Sequence, residues 1–398
     1  MDDGLTRAVD VAVIGGGIVG TAAALELASA GASVVLFEAT AVGAGASGRN
    51  SGAVEHPFDP ILEPLYRETV ERYRRLASDA LQPNASDAPG SFAFPDAPVG
   101  LLLVAPEADM ATLEAERDAI AAAAPQLAPT ILTPTEVARL EPAVASGVVA
   151  LRLETGYPVP PAAAVRAFAR QAEHTGATIR VGEAASLWRE GGRVVGVRTA
   201  GGEHVAAGAV LVAAGPWSPD IIDPTGTWRP IVRTWGVTVA IHLAAPPRHV
   251  LVQSGVGAIN RPGETGASRP GEPEGPGAAF ESMFTLVTAG GVSVVGSTFL
   301  PEEPDPGPVG PLLLQRGGRF VPGLYSVGVD ELRACARPQS LDGRPLVGRV
   351  PGHENLFIAA GHGPWGISTG PETARLVADL ILGRPVAIPA ELDPARFA

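Results

Sequence analysis

An alternating α/β chain in two interleaved parts is what the sequence predicts, on three observations. Residues 9–38 read strand, glycine-rich turn, helix, strand, acid. A second strand–glycine–helix turn closes the chain at residues 356–382. Between them, residues 229–300 hold several β-type runs, and 398 residues are more than a single core usually gathers.

The opening unit is the most specific. Val9 to Ile14 is a short apolar run ending in glycine, as a buried parallel strand would be. Gly15, Gly17 and Gly20 follow in G-x-G-x-x-G spacing at the mouth of a helix from Ile18 and Val19 to Ala30. The first glycine permits the tight turn, the second lets backbone approach a pyrophosphate, and the third brings helix and strand together. The helix N-terminus offers free N–H groups to the phosphates. Gly31 ends the helix, Ser33–Phe37 is the next strand, and Glu38, followed by Ala39, stands where a carboxylate accepts ribose hydroxyls. The unit reads as a Rossmann-type site for an adenine dinucleotide, and Glu38 disfavours the 2′-phosphate of NADP.

Next comes the glycine-rich loop Gly43–Gly52, then a charged helix from Ile61 to Ser78. Turn formers from Pro83 to Pro98 predict a domain crossing. Residues 99–145 supply a strand (Gly100–Val104), a helix (Asp109–Ala123) and a capped helix after Thr133. A helix is expected over Pro160–Thr175, and strands over Thr178–Val181, Arg193–Thr199 and Ala209–Ala213, the last running into Ala214-Gly215-Pro216-Trp217. The Pro/Gly-rich stretch Arg261–Gly277 predicts a surface loop. The final strand, Leu356–Ala360, enters Gly361-His362-Gly363 and a helix from Ser368 to Leu382. Ligands sit beyond the carboxyl ends of strands in such sheets, so both turns can face one ligand. A flavin ring, negative when reduced, benefits from the second helix N-terminus; a nicotinamide enzyme does not require it.

Composition narrows the partners. At 46% apolar and 18% charged the chain is globular. Its net charge is −13 and all 29 cationic side chains are arginine, a bias that fits genomic base composition. No basic tract is available for nucleic acid. Cys335 is the only cysteine, so no intrachain disulfide forms and a cytoplasmic setting is expected. Asp2 and Asp3 precede the first apolar run, unlike the basic start of a signal peptide. No membrane span and no metal site are read from the sequence.

The motifs together resemble the D-amino-acid oxidase superfamily of flavoproteins over nearly the whole chain. They are G-G-G-I-V-G with Glu38, the loop A-S-G-R-N-S-G, A-A-G-P-W-S at 213–218, R-P-Q-S-L-D-G-R-P-L-V-G at 337–348, and N-L-F-I-A-A-G-H-G-P-W-G-I at 355–367. Glycine oxidases, D-amino-acid dehydrogenases and sarcosine-type oxidases are the most similar groups. The resemblance implies an FAD domain from residues 1–82, 146–228 and 331–398. A substrate domain on a mostly antiparallel sheet would come from 83–145 and 229–330. It implies hydride transfer from the α-carbon of an amine or amino acid to FAD, then imine hydrolysis. The reduced flavin is reoxidised by O₂, or by a quinone or carrier in a dehydrogenase. A homo-oligomer and a non-catalytic FAD-holding subunit stay open, although the complete motif around Arg337 argues against the latter.

The same resemblance assigns residues. Ile14, Gly15, Gly17, Ile18, Val19, Glu38 and Ala39 would hold the adenosine and pyrophosphate. Ala46, Ser47, Arg49, Asn50, Ser51 and Gly52 would serve the flavin or its phosphates, joined by Ala185, Ala214, Gly215 and Trp217. Gly361, His362, Gly363, Trp365, Gly366 and Ile367 would form the turn against the flavin ring.

Arg337 matches the arginine that fixes the substrate carboxylate through its planar fork; the alternative is a structural ion pair. Phe284 falls where a supporting tyrosine is common, and Val294 near the lysine that activates O₂ in sarcosine oxidases. His362 is expected to touch the flavin through its backbone, with proton transfer by its ring a weaker reading. Trp365 either walls an apolar part of the substrate site or packs between domains. His56 either reaches the substrate from the other side of the ring or is a solvated loop histidine. Cys335 sits where monomeric sarcosine oxidases attach FAD covalently. The surrounding C-A-R-P resembles glycine oxidases, in which the flavin is not covalently held, so a non-covalent cofactor and a buried thiol are expected.

Overall fold

The computed structural model describes residues 5–80, 92–254 and 282–398. The expected surface loop at 261–277 and most of the crossing segment at 83–98 lie outside the described residues.

Two large sheets organise the chain, with strands numbered along it. The first has the order β17 (Leu346–Arg349), β18 (Leu356–Ala360), β11 (His204–Val212), β1 (Leu5–Ile14), β2 (Val34–Glu38), β8 (Thr178–Val181). From β18 to β8 every neighbouring pair is parallel. Each strand therefore delivers its carboxyl end to one edge, the placement that builds a ligand crevice. An antiparallel hairpin, β9 (Ala185–Glu190) and β10 (Arg193–Thr199), pairs onto the start of β11. The sequence reading missed β9, whose polar, half-exposed A-S-L-W-R-E carries little apolar alternation.

Helix α1 (Ile18–Ser29) is apolar on nearly every side because it is enclosed: it packs against α6 (Pro161–His174) and α9 (Gly366–Ile381) as well as the sheet. Leu27, Leu36, Leu211 and Val377 meet in this layer with no solvent exposure. Truncating one such leucine to alanine typically costs about 2–5 kcal/mol.

The second sheet runs β16 (Glu331–Ser340), β12 (Ile231–Ile241), β15 (Val292–Thr298), β14 (Ser282–Ala289), β13 (Val250–Gln253), β4 (Leu101–Pro106), β6 (Val148–Leu153), β5 (Thr130–Leu132). Only β13 and β4 pair in parallel. Helix α8 (Pro306–Gly318) covers one face and α4 (Met110–Ala123) packs by β4, β5 and β6. The remaining helices are α2 (Ala46–Arg49), α3 (Glu63–Ala80), α5 (Pro134–Leu140) and α7 (Ser218–Ile222). The cap expected after Thr133 opens α5: Thr133 accepts from the Glu136 N–H, and the Glu136 carboxylate accepts from the Thr133 N–H. One expectation is corrected. Val148–Leu153, placed by sequence with the nucleotide-binding segments, pairs between β4 and β5, because its apolar residues are buried in the second sheet's layers. A short ladder, β3 (Ala53–Val54) with β7 (Tyr157–Pro158), completes the strands.

Candidate active site

A cavity of about 770 Å³ lies along the carboxyl edge of the first sheet and is roofed by β12, β14, β15 and β16 of the second. That is toward the upper end of cofactor and ligand pockets, about 300–1,000 Å³.

At one end the β1–α1 turn sets the geometry. Gly15 has φ +115°, and a side chain there would lie 2.5 Å from the Ala213 carbonyl oxygen. A Cβ on Gly20 would fall 1.9 Å from the Gly15 carbonyl oxygen, so α1 can start this close to the turn only with glycine. Gly17 at the N-cap has no side chain to bond, the Ser47 hydroxyl accepts from the Ile18 N–H at 3.0 Å, and the first turn carries no acid. A helix N-terminus free of acids and facing a cavity suits an anion. Glu38 accepts from the Gly16 N–H at 2.7 Å, and from the Thr40 N–H and hydroxyl at 2.9 and 3.0 Å. A carboxylate has about four acceptor sites, so room remains for a hydroxyl.

The other end is assembled from distant pieces. α9 begins at the Gly363–Ile367 turn, without a side-chain cap and, like α1, without an acid in its first turn. Trp365 is buried and lines the cavity. His362 is buried as well. Its Nε2 lies 2.9 Å from the Thr373 hydroxyl, which itself donates to the Gly370 carbonyl, so Nε2 carries the proton. Burial pulls its pKa down to about 4, leaving a neutral ring with its proton committed.

Arg337 projects from β16 with Phe299 beneath its guanidinium at 4.6 Å. Nη1 donates to the Thr298 carbonyl at 2.8 Å and Nη2 to the Ser297 hydroxyl. Burial lowers its pKa below the ordinary arginine value, and among the described residues no carboxylate pairs with it. Arg49 donates to the Ala334 carbonyl at 3.1 Å, while Thr238 donates to the Arg49 carbonyl, so α2 is fastened to the second sheet. Asn50 spends its amide on the carbonyls of Ala46 and Ser47 and on the Gly52 N–H. Cys335 is buried beside the cavity. Burial raises its thiol pKa, an effect that Arg337, Arg49 and Arg333 oppose.

Of the residues the sequence assigned to the cofactor or to catalysis, all but Gly52, Gly361 and His56 line this cavity. Gly52 lies off it, its backbone bound to Asn50 and Val159 beside the short ladder. Gly361 lies behind the turn, against Leu346, Ser340 and Ile231. His56 is neither solvated nor at the cavity: it is buried edge-on to Phe58 and Tyr66, its Nδ1 accepts from the Phe58 N–H, and burial pulls its pKa to about 4. Phe284 does not support Arg337. Successive β14 side chains point to opposite faces, so Met283 and Thr285 face the cavity while Phe284 stacks on Phe320 at 5.2 Å. Val294 is buried away from the cavity; Ser297 and Phe299 of the same stretch reach it. Sequence reading missed these roof residues and also Glu55, which lines the cavity just after β3.

The residues present fit a dinucleotide whose two ends each meet a helix N-terminus with no acid in its first turn. That defines a flavin-type dinucleotide fold, and the comparisons agree. Residues 10–380 match the family model for FAD dependent oxidoreductases (DAO), and the chain belongs to this family of FAD enzymes. It is 27% identical over 392 residues to a glycine oxidase of Bacillus licheniformis, covering 96% of this chain and 95% of that one. It is 32% identical over 238 residues to a D-amino acid dehydrogenase of Cereibacter sphaeroides, covering 57% and 47%. Among solved structures, glycine oxidase from Geobacillus kaustophilus superposes with a TM-score of 0.79 at 23% identity, covering 99% and 98%. Iminodiacetate oxidase from Chelativorans sp. BNC1 gives 0.77 at 24%, covering 96% and 98%. Among the described residues no helix is long and apolar enough to cross a membrane.

Proposed function

We propose that this protein oxidises an amine that carries a carboxylate, an amino acid or an N-substituted glycine, with O₂ as the final acceptor. The observation that carries the reading is Arg337: a partly buried guanidinium at the cavity, without a carboxylate partner among the described residues, has donors left for an anion. Ser297 and Thr298 hold two of its nitrogens and Phe299 supports its plane, so the fork is pre-aimed. The names of the glycine oxidase and iminodiacetate oxidase relatives point to small carboxylated amines too.

In this reading the first sheet with its helices forms the cofactor domain, and β12–β16 with α8 roof the substrate. Glu38 holds the ribose hydroxyls, the first turn of α1 the pyrophosphate, and the Gly363–Ile367 turn the flavin ring. When bound, FAD accepts the hydride that leaves the substrate α-carbon, and water hydrolyses the released imine. Arg337 orients that carbon, while Trp365, Met283 and Phe299 exclude water and make room for an apolar arm. His362 contributes position, since its proton is committed to Thr373. Burial raises the Cys335 thiol pKa and so favours the thiol over the nucleophilic thiolate, in keeping with a non-covalent FAD.

Anaerobic bleaching of the flavin tests the reading. Arg337→Ala should retain FAD yet need at least about a hundredfold more carboxylated amine, as expected when a buried charge loses its partner. Arg337→Lys should recover only part, because an ammonium cannot reproduce the fork. Wild-type concentration dependence in both variants would make Arg337 structural. Failure of air to restore the colour of bleached wild type would replace O₂ with another acceptor.

A further inference from the structure

Glu55 is the cavity group that nothing so far employs. Its backbone N–H donates to the Ser368 hydroxyl at 3.0 Å, which ties it to the first turn of α9. Strand β16, which carries Arg337, meets the same turn from another side. Gln339, two residues along β16 and on the same strand face, bridges to His362. Glu55 and Arg337 both line the cavity, and the elements that carry them, the segment after β3 and β16, both meet the turn that opens α9.

The Glu55 Oε2 atom is buried without a hydrogen-bond partner, and among the described residues no cation pairs with this carboxylate. Burial alone pushes its pKa up to about 7. A carboxylate left in this state is costly unless a ligand completes it. Glu38 is the other acid at the cavity, and its oxygens already hold Gly16 and Thr40.

We infer that Glu55 receives the amine nitrogen of the substrate, so that an amino acid spans the site with its carboxylate on Arg337 and its amine on Glu55. The inference rests on the proposed function and deepens it. Two unpaired groups of opposite charge in one pocket match a zwitterion, and each end of the ligand satisfies one of them. An amine held this way also fixes which face of the α-carbon looks toward the cofactor. The site would then prefer a primary or secondary amine over its neutral isostere.

The test uses wild-type and Glu55→Gln holoenzyme, titrated anaerobically with glycine, sarcosine and N-benzylglycine, and separately with acetate. Amines are read by flavin bleaching, and acetate by its perturbation of the flavin absorption band. Glu55→Gln should raise the amine concentration required by about thirtyfold or more, since a buried charge pair loses one member. Acetate, which lacks the amine, should bind the variant as well as wild type or better. Glu55→Asp should recover part of the amine response. Equal weakening of acetate and amines, or no change in either, would overturn the inference while leaving Arg337's role standing. Loss of FAD from Glu55→Gln would overturn it by placing Glu55 on the cofactor. A wild type that none of the amines bleaches would sink the proposed function itself, and this inference with it.

Discussion

At the Glu38 end of the cavity the contacts come mainly from one stretch of chain, Gly15 to Thr40, with Ala213 behind it. At the Arg337 end they come from β3, β14, β15, β16 and the α9 turn, which meet only after both sheets have formed. The first end binds what all users of the dinucleotide share, so its geometry is local and steric. The second end selects a substrate, so its geometry depends on strand parity and on which charges remain unpaired. Local sterics leave a readable spacing in the sequence; parity across distant strands does not.

The difference is broken most severely at Gly20. A side chain there meets the Gly15 carbonyl oxygen at 1.9 Å, a backbone atom that cannot swing aside. Gly20→Val should force α1 away from β1 and misplace the N–H groups that face the pyrophosphate. The variant should purify colourless and with a lowered melting temperature. Full flavin content, judged by the ratio of visible to ultraviolet absorbance, would show that this close approach is dispensable.

Glu38→Ala is a milder cut at the same end. The carboxylate tethers Gly16 and Thr40 as well as facing the cavity, so its loss loosens the turn and removes a ribose acceptor. Charge-assisted hydrogen bonds contribute about 1.5–3 kcal/mol, so FAD affinity should fall by roughly ten- to a hundredfold. FAD titration of the apoprotein, followed by flavin fluorescence, measures it. An unchanged dissociation constant would remove Glu38 from the cofactor site. Substrate dependence in the FAD-saturated variant should stay close to wild type, and that separation sharpens the contrast between the ends.

Legibility in the sequence followed this division. The glycine spacing, Glu38 and the final strand Leu356–Ala360 were readable because each depends on near neighbours. Arg337 was readable through its motif, but its surroundings were not. Phe284 was expected beside it, yet the pleat of β14 turns Met283 and Thr285 there instead. Glu55 gave no signal, since one acid after a glycine-rich loop reads as a solvated side chain; only burial with an unpartnered oxygen marks it. His56 failed in the opposite direction, because its loop packs under α3 against Tyr66 and away from the cavity.

The smallest effect concerns the neutral His362 beside the ring end. Its pKa is about 4 when folded and near 6.5 when unfolded, so the unfolded chain binds more protons between those values. Stability from this residue is therefore complete above about pH 6.5 and drains away as pH falls toward 4. At pH 5.5, one unit below the unfolded value, the loss is about 1.4 kcal/mol. Glu55 runs the other way over part of this range: its raised pKa means that the folded protein gains stability as pH falls from about 7 toward 4.5. The His362 term is isolated by difference. His362→Asn should be less stable than wild type at pH 7.5, and the gap in urea midpoint should narrow by pH 5.5, because the variant has no proton to take up on unfolding there. A constant gap across that range would mean that folding leaves the His362 pKa unshifted, and a gap that widened toward pH 5.5 would mean that His362 is protonated in the fold. The Gly-His-Gly turn would then carry a positive charge, and Arg337 and Glu55 would no longer be the charge pair that defines the ring end.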